Sequence, residues 1–214
     1  MIYIEKGKEP ASLTKYRQEK FAYFDGCNKN DIREALLQEQ GYLCAYCMRR
    51  IYNDSMKIEH WKPESELSSK EALDFSNMLG VCLGHNEGDK GKLYDTCDSH
   101  KGDIKIKMNP LNKEHIKAIK YIIKSGEIDS DDPAIKKDVN ETLNLNSKTH
   151  MLQENRKAVL DEVIIKLSKL QKHGEWKKSI IEKIKHEYER VGSDGMKKEY
   201  AGIVIWYLNR KLSQ

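Results

Sequence analysis

Two cysteines separated by two residues, Cys44-Ala-Tyr-Cys47, constrain this chain more than any other feature. A tight turn between them lets both thiolates reach one tetrahedral metal ion at ~2.3 Å, while a lone pair of this kind also occurs in redox chemistry. Cys82 and Cys97 can complete a four-thiolate site, but they stand much further apart than the two cysteines of an ordinary second knuckle. Cys82-Leu-Gly-His85 has the usual spacing, so His85 is a competing fourth ligand. Cys27 has no spacing partner and reads as a small buried hydrophobe. The odd cysteine count, and an N-terminus MIYIEKGKEP without the apolar core of a signal peptide, argue against a disulfide framework. A structural Zn2+ in a cytoplasmic protein is the expectation.

The 214 residues suffice for one or two domains with a real core. Charged residues make up 34% and the mean hydropathy is -0.77. The longest apolar run, near Ala201–Leu208, is far short of the ~20 residues of a spanning helix, so no membrane role is expected. The chain changes character near Pro110. All five cysteines and all three phenylalanines precede it, and Lys, Glu, Ile and Leu dominate after it. The second half reads as helices. Ile116, Ile119, Ile122 and Ile123 keep a helical period over Asn112–Lys124, with Gly126 as the stop. Asp132-Pro133 is a helix start. Thr149–Gln171 is the longest helix candidate, striped by Leu152, Val159, Leu160, Val163, Ile164, Leu167 and Leu170, and broken at Gly174. Trp176–Val191 and Met196–Leu212 follow, separated by a turn at Gly192–Gly195. In the first half, Asn30-Asp31 caps a helix ended by Gly41, Met56–Trp61 is a short strand and Gly84–Thr96 a loop.

Between the cysteines lies a denser pattern: Ile58-Glu59-His60-Trp61-Lys62-Pro63, then Asn77-Met-Leu-Gly-Val-Cys82, then Cys97-Asp98-Ser-His100-Lys101-Gly102. The order resembles the HNH nuclease family. The resemblance implies an α+β protein with a small zinc-stapled ββα-metal core and a mainly α-helical second half. It favours Cys97 over His85 as the fourth zinc ligand, with Gly84–Thr96 inserted between the knuckle cysteines. It also implies metal-assisted phosphodiester hydrolysis. His60 would be the general base, because imidazole titrates near neutral pH. Glu59, on the opposite face of the same strand, would help hold a catalytic Mg2+ or Mn2+. Asn77 would tie down the loop that aligns His60. Asp98 stands where the family usually has His or Asn; a carboxylate suits a hard cation, and His100 is a rival two residues on. Lys101 could contact the scissile phosphate.

Met1-Ile-Tyr-Ile-Glu-Lys, Leu43-Cys-Ala-Tyr-Cys47, Thr96-Cys-Asp-Ser-His-Lys-Gly102, Thr142-Leu-Asn-Leu-Asn146 and Ile203-Val-Ile-Trp-Tyr-Leu208 look like the PtuB group of HNH proteins, found in Septu and retron-linked antiphage systems. That resemblance implies a PtuA-like ABC-type ATPase as partner. It divides the chain into a nuclease domain over 1–110 and a helical domain over 111–214, available for docking. The alternatives are a stand-alone restriction-type HNH endonuclease and a zinc-stabilised scaffold with a dead centre. DNA is the first expected substrate, with RNA such as tRNA behind it. Neither a basic recognition helix nor an aromatic stacking platform stands out. The net charge of +4 is uneven: residues 1–110 carry 17 basic and 18 acidic side chains, the rest 21 and 16. Four zinc-bound thiolates would make the first half more negative still, so it is poorly equipped to hold a polyanion alone.

Overall fold

Helix α2, Lys29–Gln40, shows how the first half is built. The Asn28 side chain accepts the Asn30 N–H at its start, so the cap lies just upstream of the expected Asn30-Asp31. Gly41 ends it in the left-handed conformation, φ +64°, which glycine adopts without steric cost. Ile32, Leu36, Leu37 and Gln40 form its buried face. That face packs on a two-stranded antiparallel sheet of β1, Met56–His60, and β2, Met78–Cys82. Register runs from Met56 opposite Cys82 to His60 opposite Met78. Every residue of β2 is buried, as expected of a strand covered by helices. A short helix, α3, Cys97–Lys101, also packs on β2. An earlier helix, α1, Ala11–Tyr16, leans on α2. The computed structural model describes all residues except 87, 89–90, 92–93 and 171–175. The ends of the expected Gly84–Thr96 loop are therefore described and part of its interior is not. The expected break at Gly174 lies outside the described residues.

The second half is mainly helical as expected, but it departs from the helix expected over Asn112–Lys124. The helix expected over Asn112–Lys124 is only α4, Lys113–Lys117, and the chain then turns into β3, Ile119–Tyr121. β3 pairs antiparallel with β4, Ile128–Ser130. Ile119 and Tyr121 are buried and Lys120 is exposed, the alternation of a strand, and Ile122 and Ile123 are largely exposed. Gly126, at φ +74°, serves the connecting turn; a Cβ there would lie 2.2 Å from the Gln153 carbonyl oxygen. The Asp132 cap with Pro133 opening α5, Pro133–Lys137, is as expected. A π-helical turn at Asp138–Thr142 follows. The longest helix is α6, Leu152–Leu170, with Leu152, Leu160, Val163 and Leu167 buried, but Leu170 is 57% exposed. α7, Lys178–Glu189, buries Ile181, Ile184 and Tyr188 against α8, Ala201–Leu212. α8 starts later than Met196 because Tyr200 is left-handed, φ +52°. Among the described residues no helix is long and apolar enough to cross a membrane.

The two compositional halves share buried surface. The Met1 N-terminus hydrogen-bonds to the Tyr121 hydroxyl. Arg50 donates to the carbonyls of Gly41, Tyr42 and Lys197, and its own N–H donates to Glu199. Tyr200 N–H donates to Met48 O, and Cys97 N–H to Leu143 O. The helical half thus braces both sides of the cysteine knuckle.

Gln40 is the buried tie between α2, the knuckle and the sheet. Its amide nitrogen donates to Leu43 O at 2.8 Å and Gly80 O at 2.7 Å, and its oxygen accepts from Gly80 N at 2.7 Å. A Cβ at Gly80 would crowd the Met56 methyl at 3.0 Å and that amide nitrogen at 3.2 Å. Gln40→Leu strands the Leu43 carbonyl and the Gly80 N–H, while Gly80 O keeps the Ala45 N–H. The expected loss is several kcal/mol, at about 1–3 kcal/mol per stranded group, read from the denaturant midpoint at unchanged m-value.

Candidate metal centre and active site

The four cysteines of the sequence pattern converge. Cys44, Cys47, Cys82 and Cys97 are all buried, and their sulfurs lie within 4.8 Å of one another. The closest separations are 3.8 Å for Cys44–Cys97 and 3.7 Å for both Cys47–Cys82 and Cys82–Cys97. A tetrahedron with ~2.3 Å metal–sulfur bonds has edges of about 3.8 Å, so the cage fits an ion such as zinc. The knuckle is shaped by Cys44 N–H donating to Arg49 O and Met48 N–H to Cys44 O, with Met48 left-handed at φ +66°. Cys97 is also left-handed, φ +55°, where the chain enters α3.

Electrostatics in the cage suit a cation. Burial opposes ionising Cys44, but hydrogen bonds from Cys47, Cys82 and Cys97 outweigh it and hold this thiol well below the ordinary range. Cys82 is pushed well above it, first by its hydrogen bond to Cys44; Cys97 is pushed up first by burial. A second thiolate is therefore costly unless positive charge arrives. His85 lies outside the cluster, with its Nδ1 3.6 Å from Asp95. Cys27 also lies outside it, its thiol donating to Phe24 O at 3.0 Å.

A polar cleft of about 410 Å³ opens beside the knuckle, lined by Glu59, His60, Glu64, Asp98 and Lys101 among others. Glu59 is 5% exposed and is held from two sides. Tyr46, the inner residue of the knuckle, donates to its Oε1 at 3.1 Å, and Lys101 Nζ is 2.8 Å from the same atom. Burial, then the neighbouring Asp98 carboxyl, raises the Glu59 pKa to about 9 against the opposing pull of Lys101. Two neighbouring carboxyls of this kind suit a hard cation. Asp98 also faces Lys57 Nζ, at 3.6 Å. Sequence reasoning passed over Lys57, although the two-residue period of β1 puts it on the face of Glu59.

His60 is 3% exposed, with Phe24 edge-on to its ring at 4.6 Å between centroids. Nε2 lies 2.8 Å from the Ala72 carbonyl oxygen and Nδ1 2.8 Å from a Glu64 carboxylate oxygen. Asn77 clamps the next peptide, its Oδ1 accepting Lys62 N–H at 2.8 Å and its Nδ2 donating to Lys62 O at 3.1 Å. His100 turns its Nδ1 to the Thr142 carbonyl at 3.0 Å and does not line the cleft. Of the two rivals, Asp98 is the one beside Glu59. Lys101 is only 1% exposed, and its ammonium serves as counter-ion to Glu59 and contacts the Gly102 carbonyl.

No protein-family model matches the chain. A curated protein named "Retron Vc95 putative HNH endonuclease", from Vibrio cholerae serotype O1 biovar El Tor, is 31% identical to it over 86 residues. The match covers 39% of this chain and 40% of that relative, so each is aligned over less than half its length.

Purified protein should carry one zinc per chain by atomic emission. Cys97→Ser should lower this well below one and unfold at lower temperature, whereas His85→Ala should retain full zinc. Equal loss in both variants would place His85 among the ligands.

Proposed function

We propose that the chain is a metal-dependent HNH nuclease that hydrolyses phosphodiester bonds, acting in antiphage defence. The observation that carries this reading is the convergence of Glu59, Asp98 and His60 on one cleft beside a four-cysteine cage. The limited likeness to a retron-associated HNH protein supports the same chemistry and context. The cage holds structural Zn2+. Glu59 and Asp98 hold a second ion, Mg2+ or Mn2+, since paired carboxylates suit a hard cation and thiolates a softer one. That ion supplies electrostatic stabilisation of the pentavalent phosphate.

The side chains divide the remaining work. The Ala72 carbonyl accepts a hydrogen bond from Nε2–H of His60 and so leaves Nδ1 as the basic nitrogen. With a carboxylate on Nδ1 and a carbonyl on Nε2, the ring faces two acceptors, the arrangement it needs after capturing a proton. Glu64 is 55% exposed and can swing aside to admit water to Nδ1, then return to hold the imidazolium. Asn77 fixes the backbone that leaves His60. Lys101 keeps Glu59 in place, and Lys57, 38% exposed beside Asp98, is the cation best placed for phosphate. The reading includes the PtuA-like ATPase partner of the PtuB group, because residues 1–110 are slightly acidic and hold a polyanion poorly by charge alone.

His60→Ala should abolish cleavage of DNA or RNA, a loss of about 10²–10⁴-fold or more, while leaving zinc content unchanged. Cleavage is followed on plasmid DNA and on total RNA, with and without added Mg2+. Undiminished cleavage by the variant would overturn the role of His60, and a zinc-loaded wild type that cleaves neither would favour the scaffold reading.

Divalent binding should depend on pH. Below about 9 the folded Glu59 keeps a proton that the ion must displace, so affinity falls as pH falls. The limit is about tenfold per unit for one displaced proton, measured by calorimetric titration with Mg2+ between about pH 6 and 8. A flat profile would remove Glu59 from the ligand set.

A further inference from the structure

Glu59 stands on β1 opposite Leu79 of β2, with its side chain buried. Tyr46 Oη donates to its Oε1 at 3.1 Å, and Lys101 Nζ approaches the same oxygen at 2.8 Å. Both groups are fixed. Tyr46 and Lys101 are each 1% exposed, so neither can turn out to water. The knuckle that carries Tyr46 is tied to the sheet by Ala45 N–H, which donates to Gly80 O at 3.0 Å, next along β2 from the partner of Glu59. Lys101 ends α3 and also donates to Gly102 O at 3.2 Å. A carboxylate oxygen has about two lone-pair sites. A hydroxyl proton and an ammonium in contact leave Oε1 no place for a third positive group. Asp98 is engaged in a similar, looser way: Lys57 Nζ lies 3.6 Å from its Oδ2 and donates to the Ser99 hydroxyl at 2.6 Å. The cleft therefore offers a cation one oxygen from each carboxyl, Glu59 Oε2 and Asp98 Oδ1.

We propose that Tyr46 is a positioning residue that sets the ion preference of the cleft: with Lys101 it holds Oε1, limits Glu59 to one ligating oxygen, and so favours Mg2+ or Mn2+ over Ca2+. This rests on the metal-dependent reading above and adds how the ion is selected. Mg2+ demands a near-ideal octahedron, keeps several waters, and is satisfied by single oxygens from a pair of carboxylates. Ca2+ accepts more oxygens in looser geometry and is often held by both oxygens of one carboxylate. A carboxylate locked on one oxygen therefore costs Ca2+ a ligand and costs Mg2+ none. Tyr46 lies between two cage cysteines, so the segment that binds the soft ion also screens the hard one.

The test uses the full zinc-loaded chain at one fixed pH, with magnesium chloride and calcium chloride as probes in separate calorimetric titrations. The wild type should bind Mg2+ more tightly than Ca2+. Asp98→Asn should weaken both, which assigns the titrated ion to the cleft. Tyr46→Phe removes one oxygen atom from a buried side chain and should retain full zinc. It frees a lone-pair site on Oε1 and should raise the ratio of Ca2+ to Mg2+ affinity by about tenfold. An unchanged ratio would overturn the proposal, and so would an equal loss of both ions, which assigns Tyr46 a purely structural part. If Tyr46→Phe loses zinc, Lys101→Met frees the same oxygen from the other side, and an unchanged ratio there is equally fatal. A wild type that binds Ca2+ as tightly as Mg2+ would overturn the proposal without any variant, while leaving the metal-dependent reading intact. A wild type that binds neither ion would remove that reading, and the proposal with it.

Discussion

The four-sulfur cage joins parts of the chain that have little else to hold them. Cys44 and Cys47 come from the knuckle after α2, Cys82 from the end of β2 and Cys97 from the start of α3. The sheet it secures has only two strands, and a two-stranded sheet is marginal in water unless something covers it. Here α2 and α3 cover it, and both meet it at the cage: Gln40 reaches from α2 to Gly80 and Leu43, and α3 begins with a ligand. An ion bound in the cage would therefore also help to position the two helices on the strands.

The cage and the acidic cleft are one mechanical unit. Tyr46 lies between two cage cysteines, is fully buried, and donates to Glu59. Lys101, at the end of the helix that Cys97 opens, approaches the same carboxyl oxygen from the other side. The position of Glu59 thus depends on two segments that meet at the sulfur cage. Removing Lys101 would take from the buried Glu59 carboxyl the one cation that opposes its raised pKa.

The cage cysteines, the strand at Met56–His60 and the Asn77 clamp were legible because their signals are short and chemical: fixed spacing, an adjacent acid and histidine, an amide near a turn. What escaped was set by tertiary context. Ile116, Ile119, Ile122 and Ile123 satisfy a helical period, yet the chain leaves α4 after Lys117 because pairing with Ile128–Ser130 buries Ile119 and Tyr121. Their β-branched neighbours also suit a strand. Lys101 was expected to contact the scissile phosphate, and no spacing rule announces that a lysine will be buried against Glu59. The contact of Phe24 with His60 stayed hidden for the same reason, since it is made across the fold.

The segment between Cys82 and Cys97 leaves and rejoins the core at nearly one point. The two sulfurs are 3.7 Å apart, Thr96 N–H and hydroxyl both donate to Gly84 O, and Ser99 donates to Leu83 O. With the ends fixed this way, lengthening the excursion costs only ~0.6 kcal/mol per doubling of loop length. The fold therefore contains a position where evolution can add or remove residues beside the metal cage while the geometry of Glu59 and His60 stays the same.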